Sequence, residues 1–108
     1  GKDANVILGP GLQVHRVPRN GRNFEYLPGE DPYLGVRLGA AYVDAVQRTG
    51  VIACAKHWAF NEQETDRNTQ STEVDERTAW EIYYPPFEAA VKAGVGSFMC
   101  GYNKVNGT

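Results

Sequence analysis

Four side chains of this 108-residue chain have the types and positions to do chemistry at one site: Arg22, Lys56, His57 and Tyr102. Each comes after a short apolar run with the composition of a buried strand. In α/β folds the working residues follow the carboxyl ends of strands. Lys56-His57 follows Val51 to Ala55 (VIACA), and Tyr102-Asn103 follows Ser97 to Cys100 (SFMC). Arg22 lies in the loop after Asn5 to Leu8 (NVIL), within Gly21-Arg22-Asn23-Phe24-Glu25. Arg and Lys only donate hydrogen bonds, whereas His and Tyr donate or accept. That mixture suits a polyhydroxylated ligand. Alternation along a strand places Ile52, Cys54 and Lys56 on one face, with Lys56 at the open end of an inward row. Phe98, Cys100 and Tyr102 are expected to share a face in the same manner.

Each residue also has a plainer reading. Arg22 can be a solvated charge or a partner for Glu25, an exposed pair of little energetic weight. Lys56 can turn its ammonium outward along its stem. His57 can be a packed loop histidine. Glu62, Glu64 and Asp66 can form an exposed acidic loop, and Tyr26, Trp58, Trp80 and Tyr83 are read as packing residues. His15 receives no role. The residues taken singly support an α/β unit with a polar site and no more.

The elements that must position this site follow from pattern. Gly9-Pro10-Gly11 closes the first strand, and Gln13 to Gly29 has no periodicity, which predicts a long structured loop. Asp31 caps a first helix and Pro32 suits its first position. Leu34, Leu38, Ala41 and Ala45 recur at helical spacing as its apolar stripe, and Gly50 ends it. VIACA is a continuous apolar run, as for a parallel strand buried on both faces. Trp58 to Val74 is polar and irregular. Asp75-Glu76 opens a second helix, with Ala79, Ile82 and Tyr83 on one side. Pro85-Pro86 breaks or kinks it, and Phe87 to Lys92 continues as a further helical segment. Strands and helices alternating in this way predict right-handed βαβ units and a parallel sheet. Three strands with two to three helices are too few for a closed eight-stranded barrel, which takes about 250 residues. The expected fold class is therefore α/β, either a small open unit or part of a (β/α)8 barrel.

Composition narrows the function classes. The chain is 42% hydrophobic and 22% charged, with a formal net charge of −2, so it carries no basic footprint for nucleic acid. No apolar run reaches the roughly 20 residues that span a bilayer. The start, GKDANVILGP, lacks the shape of a signal peptide, and both ends read as those of an excised segment. Cys54 and Cys100 lie in apolar runs and are expected to be buried thiols. Asn106-Gly107-Thr108 is a glycosylation sequon, meaningful only in a secreted eukaryotic protein.

Three stretches together resemble glycoside hydrolase family 3: GRNFEYLPGEDPYLG (Gly21 to Gly35), GVIACAKHWAFNEQE (Gly50 to Glu64) and VDERTAWEIYYPPFEAAVKAGVGSFMCGYNKVNG (Val74 to Gly107). The resemblance implies that residues 1–108 belong to the middle of that family's N-terminal barrel domain, a partial (β/α)8 barrel with the site at the strand carboxyl ends. It implies that Arg22, Lys56 and His57 hold hydroxyls of the glucose whose bond is cleaved, and that Tyr102 stands near the nucleophile. Asn61 and Glu64 resemble residues that support these from behind. Cis peptide bonds are expected around the Lys-His step. No metal and no cofactor are implied.

The chemistry implied is retaining hydrolysis by two carboxyl groups about 5–5.5 Å apart. Neither can be placed in this sequence. The family's nucleophile is an aspartate in a Ser-Asp-Trp stretch beyond the Tyr-Asn motif, and its acid/base comes from a further domain. Asp31, Asp66 and Asp75 match neither role. Relatives acting on N-acetylglucosamine read Lys-His-Phe-Pro-Gly-His-Gly where this chain has Lys56-His57-Trp58-Ala59-Phe60-Asn61. β-Xylosidases read Gly-Arg-Gly-Gln-Glu where it has Gly21 to Glu25 as GRNFE. The expected parent is thus a β-glucosidase, with a β-xylosidase or broad β-glycosidase second and a non-catalytic sugar-binding remnant as the reading of another class. Expected partners are a β-glucoside or oligosaccharide substrate, the rest of the catalytic domain and a second domain, with no nucleic acid and no membrane. A secreted or periplasmic location follows the habit of the family.

Overall fold

A computed structural model describes residues 3–108 of the chain. In chain order the elements are β1 (Val6–Ile7), a 3-10 turn (Asn23–Glu25), α1 (Pro32–Gln47), β2 (Ile52–Trp58), β3 (Ser71–Thr72), α2 (Glu76–Thr78), a π turn (Ala79–Tyr83), α3 (Pro85–Lys92), β4 (Ser97–Cys100) and β5 (Lys104–Val105). The order β1-β2-β4 makes one parallel three-stranded sheet. Its register pairs Val6 with Ile52, Cys54 with Ser97 and Lys56 with Met99. This is the expected α/β architecture, an arc of a (β/α)8 barrel.

The helices sit on one face of the sheet, and the core there is Leu12, Val43, Ala53, Ala55, Phe87 and Ala90. α1 begins as expected: the Asp31 carboxylate accepts from the Tyr33 N–H at 2.8 Å, and Pro32 takes the first turn. The chain leaves it through Gly50 at φ +81°, a conformation that costs glycine little. The buried face of α1 differs from the expected one. Leu34, Leu38, Ala41 and Ala45 are exposed, and Gly35, Gly39 and Val43 are buried. The reason is close approach. A Cβ on Gly35 would stand 2.7 Å from Pro28 and 2.8 Å from Pro86, and one on Gly39 would stand 2.9 Å from Leu12. The two glycines let α1 lie tightly against α3 and the loop before it, which an apolar count cannot register.

The double proline acts as expected. Neither Pro85 nor Pro86 has an N–H to donate. The Tyr84 N–H reaches back five residues to the Ala79 carbonyl at 2.9 Å, the backbone widens into the π turn, and α3 starts afresh at Pro85.

Three further expectations are corrected. Cys54 is buried but Cys100 is exposed, because it lies near the end of β4. Phe98 does not share the inward row of Lys56; its ring packs 6.2 Å from Phe87 and 6.5 Å from Trp58, on the helix side of the sheet. Met99 is the residue opposite Lys56. Finally, β2 runs past its apolar stretch to Trp58, so His57 lies within the strand rather than beyond it, two residues after the expected end at Ala55.

The loops after β2 and β4 are fastened to each other. β3 and β5 pair in parallel, Ser71 with Lys104 and Thr72 with Val105. The Asn106 amide adds a rung: its Oδ1 accepts from the Val74 N–H at 2.9 Å and its Nδ2 donates to the Val74 carbonyl at 3.0 Å. The sequon asparagine is thereby engaged on both sides of its amide. The peptide bonds Gly9-Pro10, Lys56-His57 and Trp58-Ala59 are cis, as expected for the Lys-His step.

Candidate functional site

β2 delivers Lys56 to the end of the sheet between two neighbours. The Lys56 N–H donates to the Pro10 carbonyl at 2.9 Å, and the Lys56 carbonyl accepts from the Leu12 N–H at 2.8 Å. The side chain is largely buried and does not turn outward. Its Nζ lies 2.8 Å from Glu25 Oε2. The other Glu25 oxygen bonds Arg22 Nε, because the 3-10 turn brings Arg22 and Glu25 to one side of the loop. Arg22 Nη1 is 3.7 Å from Glu64 Oε1, which is also 3.3 Å from Arg67 Nη1. The Arg67 guanidinium lies 5.0 Å from the centre of the Tyr102 ring. One continuous chain of contacts, Lys56–Glu25–Arg22–Glu64–Arg67–Tyr102, thus joins three loops at the end of the sheet.

His57 stands beside Lys56 and is buried. Its ring meets Tyr26 edge-on at 6.4 Å between centroids. Among the described residues its Nδ1 has no hydrogen-bond partner. The backbone of His57 is held by the Gln13 amide, which donates to its carbonyl at 2.9 Å and accepts from its N–H at 3.0 Å.

The charges set the protonation states. Burial alone would raise the Glu25 carboxyl, but the hydrogen bonds and charges of Arg22 and Lys56 outweigh it and hold its pKa at about 2. Glu25 in turn holds the Arg22 guanidinium above its ordinary value, against the opposing effect of burial. Burial, reinforced by the Arg22 and Lys56 charges, lowers His57 to about 4. A neutral imidazole offers one donor and one acceptor near neutral pH. Burial likewise raises Tyr26 to about 12, so it stays a phenol. Behind the site, Glu62 is buried and its pKa is pushed up to about 7, with Arg16 at 3.3 Å opposing that rise.

The structure therefore brings Arg22, Lys56 and His57 together, and links Tyr102 to them through Arg67 at an exposed rim. Of the plain readings of Arg22, the pairing with Glu25 is the one the structure shows. Glu64 contacts Arg22 directly. Asn61 is buried but, among the described residues, both atoms of its side-chain amide lack a partner. Sequence reasoning missed Arg67, although its place three residues after Glu64 is a spacing at which side chains meet across a turn. It also missed Gln13. Among the described residues no group of three or more His, Cys, Asp or Glu side chains gathers as a metal-ligand set.

An arc of a parallel α/β barrel with cations, an imidazole and a phenol at its strand ends defines a class: a (β/α)8-barrel segment with a polar cluster at the carboxyl ends of its strands. Residues 1–108 match the family description "Glycosyl hydrolase family 3 N terminal domain", and the chain belongs to that family. It is 49% identical over 108 residues to Beta-glucosidase BoGH3A of Bacteroides ovatus, covering 99% of this chain and 14% of that protein. It is 51% identical over 107 residues to thermostable beta-glucosidase B of Acetivibrio thermocellus, covering 98% and 14%. Among solved structures it matches DesR, a beta-glucosidase from Streptomyces venezuelae in complex with D-glucose, with a TM-score of 0.95 and 43% identity over 98% of this chain and 14% of that one. It also matches beta-glucosidase 3B from Thermotoga neapolitana in complex with glucose, with a TM-score of 0.92 and 47% identity over 96% and 14%. The chain spans about one-seventh of the length of these relatives.

Proposed function

We propose that this segment supplies the grip on the terminal non-reducing β-D-glucosyl residue in a retaining β-glucosidase. The observation that carries the reading is the convergence of Arg22 and Lys56 on one carboxylate, Glu25, with buried, neutral His57 next to Lys56 in the strand. Sugar hydroxyls both donate and accept. Arg22 and Lys56 donate to hydroxyl oxygens, and His57 donates or accepts with its ring. Tyr102 and Arg67 line the exposed side of the same cluster, where a ring and a guanidinium can border a sugar.

In a retaining reaction one carboxylate attacks the anomeric carbon and another carboxyl protonates the leaving oxygen. Glu25 fits neither role. Held at about 2, it has no proton to give near neutral pH, and its oxygens are committed to two cations. Its place is to fix Arg22 and Lys56. The nucleophile and the acid/base are assigned to parts of the enzyme outside these residues. The sites built here act by positioning the ring and by hydrogen bonds that strengthen as charge develops on it.

The test is hydrolysis of an aryl β-D-glucoside by the full-length protein that carries this segment. Lys56→Ala or His57→Ala is expected to lower kcat/KM by about 100-fold or more while the thermal transition persists. Turnover near wild type in both variants would remove the assigned roles. The second reading, a β-xylosidase, is disfavoured by Asn23-Phe24, and it predicts a higher kcat/KM on the aryl β-xyloside than on the glucoside.

A further inference from the structure

β4 pairs with β2 at Lys56 and again at Trp58, with a register shift between them. That bulge skips His57, whose N–H and carbonyl would otherwise require a partner in the ladder. On the other side of β2, backbone pairing with residues 10–12 ends when the Leu12 N–H meets the Lys56 carbonyl. His57 therefore sits where pairing from both flanks has stopped. The group that completes it is a side chain 44 residues away. The Gln13 amide donates Nε2–H to the His57 carbonyl at 2.9 Å and accepts the His57 N–H on Oε1 at 3.0 Å, copying the two-bond exchange of a strand rung. Gln13 is 1% exposed. The imidazole lacks a partner at Nδ1 among the described residues, so the ring is aimed mainly by its backbone.

We infer that Gln13 is a positioning residue for the sugar site: its amide sets the His57 backbone, and through it the imidazole beside Lys56. The inference rests on the glucose-binding reading above. Gln13 touches no substrate in this account; it acts through His57.

The test is a double-mutant cycle in the full-length protein, read as kcat/KM on an aryl β-D-glucoside. Gln13→Met keeps the length and apolar stem and removes both hydrogen bonds. It is expected to cost about 10-fold or more. The decisive readout is coupling. Once His57→Ala has removed the ring, adding Gln13→Met is expected to cost less than about 3-fold further, because the residue it aims is gone. Losses that multiply in the double variant would overturn the inference, since they would mean a general effect on the fold. So would Gln13→Met turnover within about 2-fold of wild type. Should Gln13→Met yield no folded protein, Gln13→Glu takes its place. It keeps the acceptor for the His57 N–H, sets an oxygen against the His57 carbonyl, and must show the same coupling. An impaired His57→Ala beside a multiplicative or silent Gln13 variant sinks only this inference; an unimpaired His57→Ala removes the sugar role of His57 on which the inference rests.

Discussion

The site has a deep half and a rim, and the two are built differently. In the deep half Lys56 and His57 belong to a strand, their backbone groups are paired on the side of residues 10–13, and Glu25 locks the Lys56 ammonium from beside it. At the rim, Glu64, Arg67 and Tyr102 stand on loops at the surface, joined by contacts of 3.3 Å and 5.0 Å between long side chains. The Lys56–Glu25 pair has side-chain exposures of 14% and 21%, against 31% and 36% for Arg67 and Glu64, so solvent screens it less and its loss costs more. Groups held in place before the substrate arrives lose little on binding. Under the proposed function, the deep half fixes the sugar and the rim adapts around it.

The largest effect that tests this contrast compares the two carboxylates. Glu25→Gln leaves Arg22 and Lys56 without their shared anion and is expected to lower kcat/KM by about 30-fold or more. Glu64→Gln is expected to change it by less than about 5-fold. Equal losses would erase the distinction between deep half and rim.

A smaller effect lies in the pH dependence of stability. His57 has a folded pKa near 4 against an ordinary 6.5, so the unfolded chain binds its proton first. That contribution is complete above pH 6.5 and is lost as pH falls toward 4. Glu25, at about 2 against 4.5, behaves the same way over the window from 4.5 down to 2. Glu62 opposes them: raised to about 7 from 4.5, it erodes stability as pH rises through that interval. Melting temperature measured against pH in the full-length protein should show the fall below 6.5 flattened by His57→Gln. It should also show the opposing slope between 4.5 and 7 removed by Glu62→Gln. A Glu62→Gln curve parallel to wild type would mean that this carboxyl does not titrate as described.

The same contrast divides what the sequence could tell from what it could not. Local signals were legible: the Asp31 cap, the break at Pro85-Pro86 and the apolar strands VIACA and SFMC each follow from chemistry within a few residues. The placement of Arg22, Lys56, His57 and Tyr102 toward one end of the sheet was legible because each follows an apolar strand-like run. The buried face of α1 was not, because Gly35 and Gly39 bury it by having no side chain, while the apolar Leu34 and Leu38 stay exposed. Alternation alone does not give the face of Phe98, which is fixed by its packing against Phe87 of α3. Gln13 carried no signal at all. Its meaning is a pair of bonds across 44 residues, and such bonds exist only once the fold has closed.

The most direct measurement is a crystal structure of the full-length protein with glucose bound. The account predicts a ring at the end of β2, with Arg22, the Lys56 ammonium and the His57 imidazole each about 2.7–3.2 Å from a sugar hydroxyl. A glucose ring seated elsewhere, with neither the Lys56 ammonium nor the His57 imidazole touching a hydroxyl, would contradict it.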